Sequence, residues 1–219
     1  MPGLGEGHVF PIIQSLLHQF HSYNLKYKGA KDMLASRLDT DSFRVELLEF
    51  IRKFYFATYK DGGWIDKTPG SEAIMGAELI LEAFPSARVF VMRRTGVEFV
   101  QSFTRKFSVD FETACREWVD CMKCVIRLRS SGLPVLELDQ FDIANAPEAT
   151  AARIADHLGQ PERAAPLAAF FRGERVEKTS NHDWSRRLTV AEADWSAEQK
   201  AVFRRVCGAH MKQLNYPLD

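Results

Sequence analysis

The chain has 219 residues, 46% of them hydrophobic, and its 29 Lys+Arg are balanced by 29 Asp+Glu. That length suits one globular domain with a sizeable core, and a net charge of zero argues against a protein whose main task is to coat nucleic acid or an anionic membrane. The 16 Phe, 4 Trp and 5 Tyr supply too much apolar surface for a disordered chain, and four Cys are too few for a disulfide framework. No stretch approaches the roughly 20 apolar residues needed to cross a bilayer. The start of the chain lacks both a basic segment and a continuous apolar run, so no signal peptide is expected. A cytoplasmic location is the default expectation.

The apolar spacing predicts a helix over 11–23, opened by Pro11, with Ile12, Ile13, Leu16, Leu17 and Phe20 on one face. A second helix is predicted over 41–59, carrying Phe43, Leu47, Phe50, Ile51 and Phe54. Trp64-Ile65-Asp66-Lys67 reads as a short strand stopped by Thr68-Pro69, because a residue before proline avoids the helical region. Ser71 is the expected cap of a helix running to about Phe84.

Ala87 to Met92 is an apolar run of strand type. Arg93, Arg94, Thr95 and Gly96 turn out of it into a helix bearing Val97, Val100 and Phe103. A longer helix is predicted over 111–130, ended by Gly132, and Pro134 to Leu138 makes a further strand. Helices follow near 147–158, 162–171 and 196–214, the last opened by a capping box of Ser196 and Gln199. Strands separated by helices imply parallel pairing, so the expected fold is α/β, a parallel sheet flanked by helices, in a single domain over 1–219. Ligands of such sheets sit at the carboxyl ends of the strands, where Lys67, Arg93, Arg94 and Asp139 fall.

Three segments carry groups suited to chemistry. Arg94 at a strand end, followed by Ser102 inside the next helix, offers a guanidinium fork, a hydroxyl and a helix N-terminus to a phosphate. Arg93 competes for that role, and strand alternation sends the two arginines to opposite sides. The plain alternative is a solvated arginine and an ordinary helix serine. Lys67, after Asp66, could neutralise an anionic leaving group or simply be solvated. Gly5-Glu6-Gly7-His8-Val9-Phe10 reads equally as a frayed end whose side chains do nothing or as a segment in which Glu6 or His8 takes a proton from an attacking hydroxyl or amine. A basic segment over 172–195 holds Arg172, Arg175, Lys178, Arg186 and Arg187 beside Asn181, His182 and Trp184. It reads equally as a flap over a nucleotide or as a solvated loop. Cys121-Met122-Lys123-Cys124 lies mid-helix without a second ligand pair, so core thiols are expected there and no metal is assigned. His18 and His21 receive no metal either.

In order and spacing, these segments resemble the sulfotransferase superfamily, in particular its bacterial and heparan-sulfate members. Glu6-x-His8-Val9-Phe10 resembles the Glu-x-His-Phe-Phe segment that carries the catalytic base of the glucosaminyl 3-O-sulfotransferase type. Asp66-Lys67-Thr68-Pro69 resembles Glu-Lys-Thr-Pro. Pro85 through Ser102 resembles the strand-to-helix segment that binds the 3′-phosphate, and the family's spacing of eight selects Arg94 over Arg93. The family's usual proline two residues after that arginine is Gly96 here. The resemblance covers roughly residues 5–160 and implies a P-loop-NTPase-like sheet. It also implies sulfuryl transfer from 3′-phosphoadenosine 5′-phosphosulfate to a hydroxyl or amine, without a metal. Glu6, His8 and Lys67 would be the catalytic residues. Arg94 and Ser102 would bind the 3′-phosphate, with Arg175 and Lys178 from the basic segment closing on the nucleotide.

One departure from the family is large. Its opening strand and Pro-x-Ser-Gly-Thr-Thr loop, which grip the 5′-phosphosulfate, have no counterpart in Met1-Pro2-Gly3-Leu4-Gly5. The expected sheet therefore lacks its first strand, and the exposed inner edge would invite self-association into a homo-oligomer. This departure keeps a second reading open, a non-catalytic relative that binds a nucleotide or a protein partner. A P-loop kinase is disfavoured, since no Gly-x-x-x-x-Gly-Lys-Ser/Thr run exists. The expected partner is a small-molecule or carbohydrate acceptor; a lipid head group, a phenol or a peptide is equally compatible. Neither nucleic acid nor a membrane span is expected.

Overall fold

A computed structural model describes residues 9–30, 32, 39–58, 63–173 and 186–219. The chain divides into two compact units, Met1–Ala87 and Arg88–Asp219.

The first unit is helical. Helix α1 (Val9–Lys26) and helix α2 (Thr40–Thr58) lie where the apolar spacing put them, but of the expected faces Ile12 and Leu16 on α1 and Phe50 and Phe54 on α2 are exposed, and Phe10, Leu48 and Tyr55 are buried in their place. Phe10, Ile13 and Leu17 of α1 bury against Leu48, Ile51 and Tyr55 of α2. Phe20 and Phe43 stack with centroids 4.0 Å apart. Asp39 opens α2 by accepting the Ser42 N–H at 2.9 Å. The helix expected from Ser71 to Phe84 is two helices, α3 (Ser71–Met75) and α4 (Ala77–Ala83), and Gly70 rather than Ser71 occupies the cap position. The break falls at Gly76. A Cβ there would lie 3.2 Å from the Cβ of Phe10, so the missing side chain lets α1 approach the joint. Leu79 and Ala83 of α4 complete the core, and Arg52 closes the end of α4 by donating to the Ala83 carbonyl at 2.8 Å. The strand expected over Trp64–Lys67 reduces to one bridge residue, Ile65. The local driving force is aromatic packing instead: Trp64 lies 4.5 Å from Tyr55 and 5.4 Å from Phe84, centroid to centroid.

The second unit contains the sheet. Strand β1 (Val89–Arg93) pairs in parallel with β2 (Val135–Asp139), in a register that sets Val89 opposite Val135 and Arg93 opposite Asp139. Among the described residues β1 has a strand on one side only. The connection runs through α5 (Gly96–Phe107) and α6 (Phe111–Ser130). Both start on side-chain caps: Thr95 Oγ1 accepts the Glu98 N–H at 3.2 Å, and Asp110 accepts the Thr113 N–H at 3.1 Å. After β2 come a short helix absent from the sequence reading, α7 (Gln140–Asn145), then α8 (Pro147–Leu158), a 3-10 turn at Pro161–Arg163, and α9 (Ala164–Gly173). Helix α10 (Ala197–Gln213) begins on the expected capping box of Ser196 and Gln199.

Helices α5, α6 and α10 share an apolar core. Trp118 of α6 is 1% exposed and meets Phe203 and Met211 of α10 around Gly96, while Val97 and Val100 of α5 and Cys207 of α10 are fully buried. The first turn of α5 reaches this core because residue 96 is glycine. A Cβ on it would stand 3.0 Å from Phe203 Cζ, 3.1 Å from Trp118 Cδ2 and 3.2 Å from Met211 Sδ. Any side chain at that position, proline included, meets these three groups. Gly96→Ala is therefore expected to lower stability by about 1–3 kcal/mol through overpacking, read as a drop in the thermal unfolding midpoint. An unchanged midpoint would show that the core yields at no cost.

Candidate functional site

The carboxyl ends of β1 and β2 are built around one acidic side chain. Asp139 closes β2, is 2% exposed, and accepts from several segments of the chain. Its Oδ1 takes the Phe141 N–H at 3.0 Å and so caps α7. Its Oδ2 takes the Tyr216 hydroxyl at 2.8 Å and Arg187 Nη1 at 3.2 Å, and forms an ion pair with Arg93 Nη1 at 3.4 Å. A buried carboxylate is tolerated only when its charge and lone pairs are answered in this way.

Arg93 and Arg187 flank the Tyr216 ring at 5.0 and 4.8 Å, and Arg187 also lies 4.5 Å from the Phe141 ring. The Arg93 Nε is paired with Glu137, whose carboxylate receives a fork from Arg129. These contacts of Arg93 are ion pairs by distance, but Nε and Nη1 do not meet hydrogen-bond angles, so charge rather than directed bonding holds the guanidinium. Burial opposes its charge, yet the groups around it outweigh burial and leave its pKa raised. The two carboxylates carry that effect, because burial and then Asp139 push the Tyr216 hydroxyl well above its ordinary range and keep it neutral.

Arg94 takes a different course. Trp118 Nε1 donates to its carbonyl at 3.2 Å, which fixes the peptide between β1 and the cap of α5. Its guanidinium lies 5.4 Å from the Phe99 ring, over the first turns of α5. Phe99 and Ser102 stand three residues apart on that helix and so share a face. Arg94 and Ser102 are each half-buried. A cation and a hydroxyl thus lie along one side of α5, groups chemically suited to an anion.

Lys67, in the first unit, is exposed; its neighbour Asp66 accepts from Tyr55 at 3.3 Å and from Thr68 at 2.8 Å, which turns that carboxylate inward. Glu6, His8, Arg175 and Lys178 lie outside the described residues, as do Asn181, His182 and Trp184. At the two ends of the basic segment, Arg172 pairs with Glu148 and Arg186 with Glu192, whereas Arg187 turns in to Asp139. Tyr216 went unnoticed in the sequence because a lone tyrosine near a chain end carries no spacing signal. The thiols of the CxxC pair are both pushed up, Cys121 to about 12, by burial and then by neighbouring acids. That disfavours the thiolate that metal binding or redox exchange requires. His18 and His21 are exposed on α1.

No protein-family profile matches this chain, and no curated protein matches it either. Its fold is that of a sulfotransferase-like α/β domain. The solved structure that carries this likeness is described as "Sulfotransferase Domain from the Curacin Biosynthetic Pathway". The two superpose with a TM-score of 0.54 over 98% of this chain and 88% of that one, at 15% sequence identity. Among the described residues no helix is long and apolar enough to cross a membrane.

Replacing Asp139 by alanine would leave Arg93 and Arg187 facing each other around Tyr216 without their shared anion. The expected loss is about 3–5 kcal/mol of stability, measured by urea unfolding. A loss under about 1 kcal/mol would show that the guanidinium groups find water instead.

Proposed function

We propose that this chain is a sulfotransferase that moves a sulfuryl group from 3′-phosphoadenosine 5′-phosphosulfate to a hydroxyl or amine acceptor. The observation that carries the proposal is the position of Arg94 at the carboxyl end of a parallel strand, with its guanidinium over the Phe99 ring of α5, and of Ser102 on that same helix, in a sulfotransferase-like fold. The family resemblance assigns those two residues to the 3′-phosphate. Their placement supports the assignment: the Arg94 guanidinium lies over Phe99 of α5, and Ser102 follows three residues later on the same helix face, so a cation and a hydroxyl are offered from one side. Arg93, the alternative, is already engaged by Glu137 and Asp139.

The donor supplies an activated sulfuryl group. Transfer is an in-line displacement, in which the acceptor oxygen or nitrogen bonds to sulfur as the bond from sulfur to the 5′-phosphate oxygen breaks. The protein's part is placement and charge stabilisation rather than covalent chemistry. Arg94 and Ser102 hold the 3′-phosphate, and Arg175 and Lys178 close on the nucleotide. Glu6 receives the acceptor proton, with His8 orienting it or replacing it, and Lys67 offsets negative charge near the transferring group. The acceptor belongs to the class of small molecules or carbohydrates.

Calorimetric titration with adenosine 3′,5′-bisphosphate, with ADP as control, tests the binding half. Preference for the bisphosphate is expected, and Arg94→Ala should weaken it by about ten- to a hundredfold, the worth of a hydrogen bond to a charged group. Equal affinity for the two nucleotides, or an Arg94→Ala variant that binds as well as the parent, overturns the assignment. Glu6→Gln tests the catalytic half. Turnover should fall by about a hundredfold or more while affinity for the bisphosphate is kept. Full turnover in that variant removes Glu6 as the base. Preference for the bisphosphate with no transfer to any hydroxyl or amine acceptor would favour the nucleotide-binding module instead.

A further inference from the structure

Helices α1 and α2 leave one apolar face uncovered among the described residues. The two run antiparallel: Phe10 at the start of α1 meets Tyr55 near the end of α2, and Phe20 stacks on Phe43. Arg44 and Arg52 reach Glu82 and Ala83, which fixes the side of α2 that α4 covers. On the other side of the seam Phe43, Leu47, Phe50 and Phe54 recur at the spacing of a single helix face. Ile12, Leu16, Phe20 and Tyr23 do the same on α1. The stack of Phe20 on Phe43 joins the two stripes, and the antiparallel run brings Leu16 and Ile12 level with Phe50 and Phe54. In that order the four side chains are 43%, 68%, 64% and 47% exposed.

We propose, independently of any nucleotide site, that this face is the interface of a homodimer in which the α1–α2 pairs of two copies pack as a four-helix bundle. An antiparallel pair with a second apolar face is half of such a bundle, and a two-fold axis along the helices sets α1 of one copy against α2 of the other. The chemistry of the face selects a copy of itself. Neither stripe holds a charged side chain, so identical surfaces meet without repulsion. At these exposures, and with Tyr23 also exposed, the stripes offer about 500 Å² of apolar surface per copy, and two copies together reach about 1,000 Å², where specific interfaces begin. The rim argues against an anionic lipid surface, which calls for a basic one. Lys26 is the one Lys or Arg of α1, and on α2 Asp41, Glu46 and Glu49 match Arg44, Arg52 and Lys53.

The test is sedimentation equilibrium of the full chain from about 1 to 100 µM, the affinity range of an interface this small. The expected result is a rise from the 24.9 kDa of one chain to twice that mass. Phe50→Glu puts a carboxylate in the middle of the face and should raise the dissociation constant by about thirtyfold or more, as should Phe54→Glu. Phe56→Glu, as exposed but turned to another side of α2, should leave association unchanged. Far-UV circular dichroism at the helix content of the parent shows that each variant is folded. A parent with the mass of one chain at every concentration overturns the inference; if that monomer floats with phosphatidylcholine vesicles, the face belongs to a lipid surface instead. A dimer that Phe50→Glu and Phe54→Glu leave intact also overturns it, because association then runs through another surface such as the sheet edge. So does a dimer that Phe56→Glu weakens as much as they do.

Discussion

A negative charge in the interior must be answered within the fold, and at Asp139 this requirement organises the sheet-bearing unit. The carboxylate is 2% exposed and sits at the end of β2, so water cannot satisfy it. Its partners come from the end of β1, the first turn of α7, the segment before α10 and the last residues of the chain. Pieces distant in sequence meet because one small anion accepts from all of them. Well-packed apolar groups often replace such an assembly without loss of stability, so its contribution is the geometry that it specifies at the strand ends.

That geometry separates two arginines that the sequence places side by side. Alternation along an extended strand points them apart, and the acidic partners on β2 then differentiate them chemically. Arg93 faces Glu137 and Asp139 and becomes structural. Arg94 begins the turn into α5 and lies along the helix that carries Ser102. The proposed phosphate site assigns its guanidinium to Arg94 and its hydroxyl to Ser102, and leaves Arg93 with the acids of β2.

Close approach sets the rest of the arrangement. Gly96 lets the first turn of α5 settle on Trp118, Phe203 and Met211, and Gly76 does the same for the joint between α3 and α4 beside Phe10. At residue 96 the sulfotransferase resemblance leads one to expect proline, and the packing gives the reason for the departure. The large aromatic and thioether groups of α6 and α10 fill the volume that a proline ring would need.

Local rules made much of this legible in advance. Apolar spacing and caps located the long helices, and Phe111–Ser130 and Pro147–Leu158 lie where the pattern put them. Short apolar runs marked both strands, and the Ser196–Gln199 box marked the start of α10, because these signals act within a few residues. The same rules miscast Trp64–Lys67, whose composition suits a strand but whose tryptophan is claimed by Tyr55 and Phe84. They ran α3 and α4 together because the contact at Gly76 is with a different helix. Arg94 and Ser102 could be paired through the family resemblance, which selects Arg94 over Arg93. The roles of Asp139, Arg187 and Tyr216 could not, since they are 48 and 77 residues apart and ionic interaction leaves no periodic trace in a chain. The sequence by itself determined the elements and the candidate phosphate residues; only the tertiary structure decided which charges meet, because burial, not order along the chain, forces a carboxylate to find its cations.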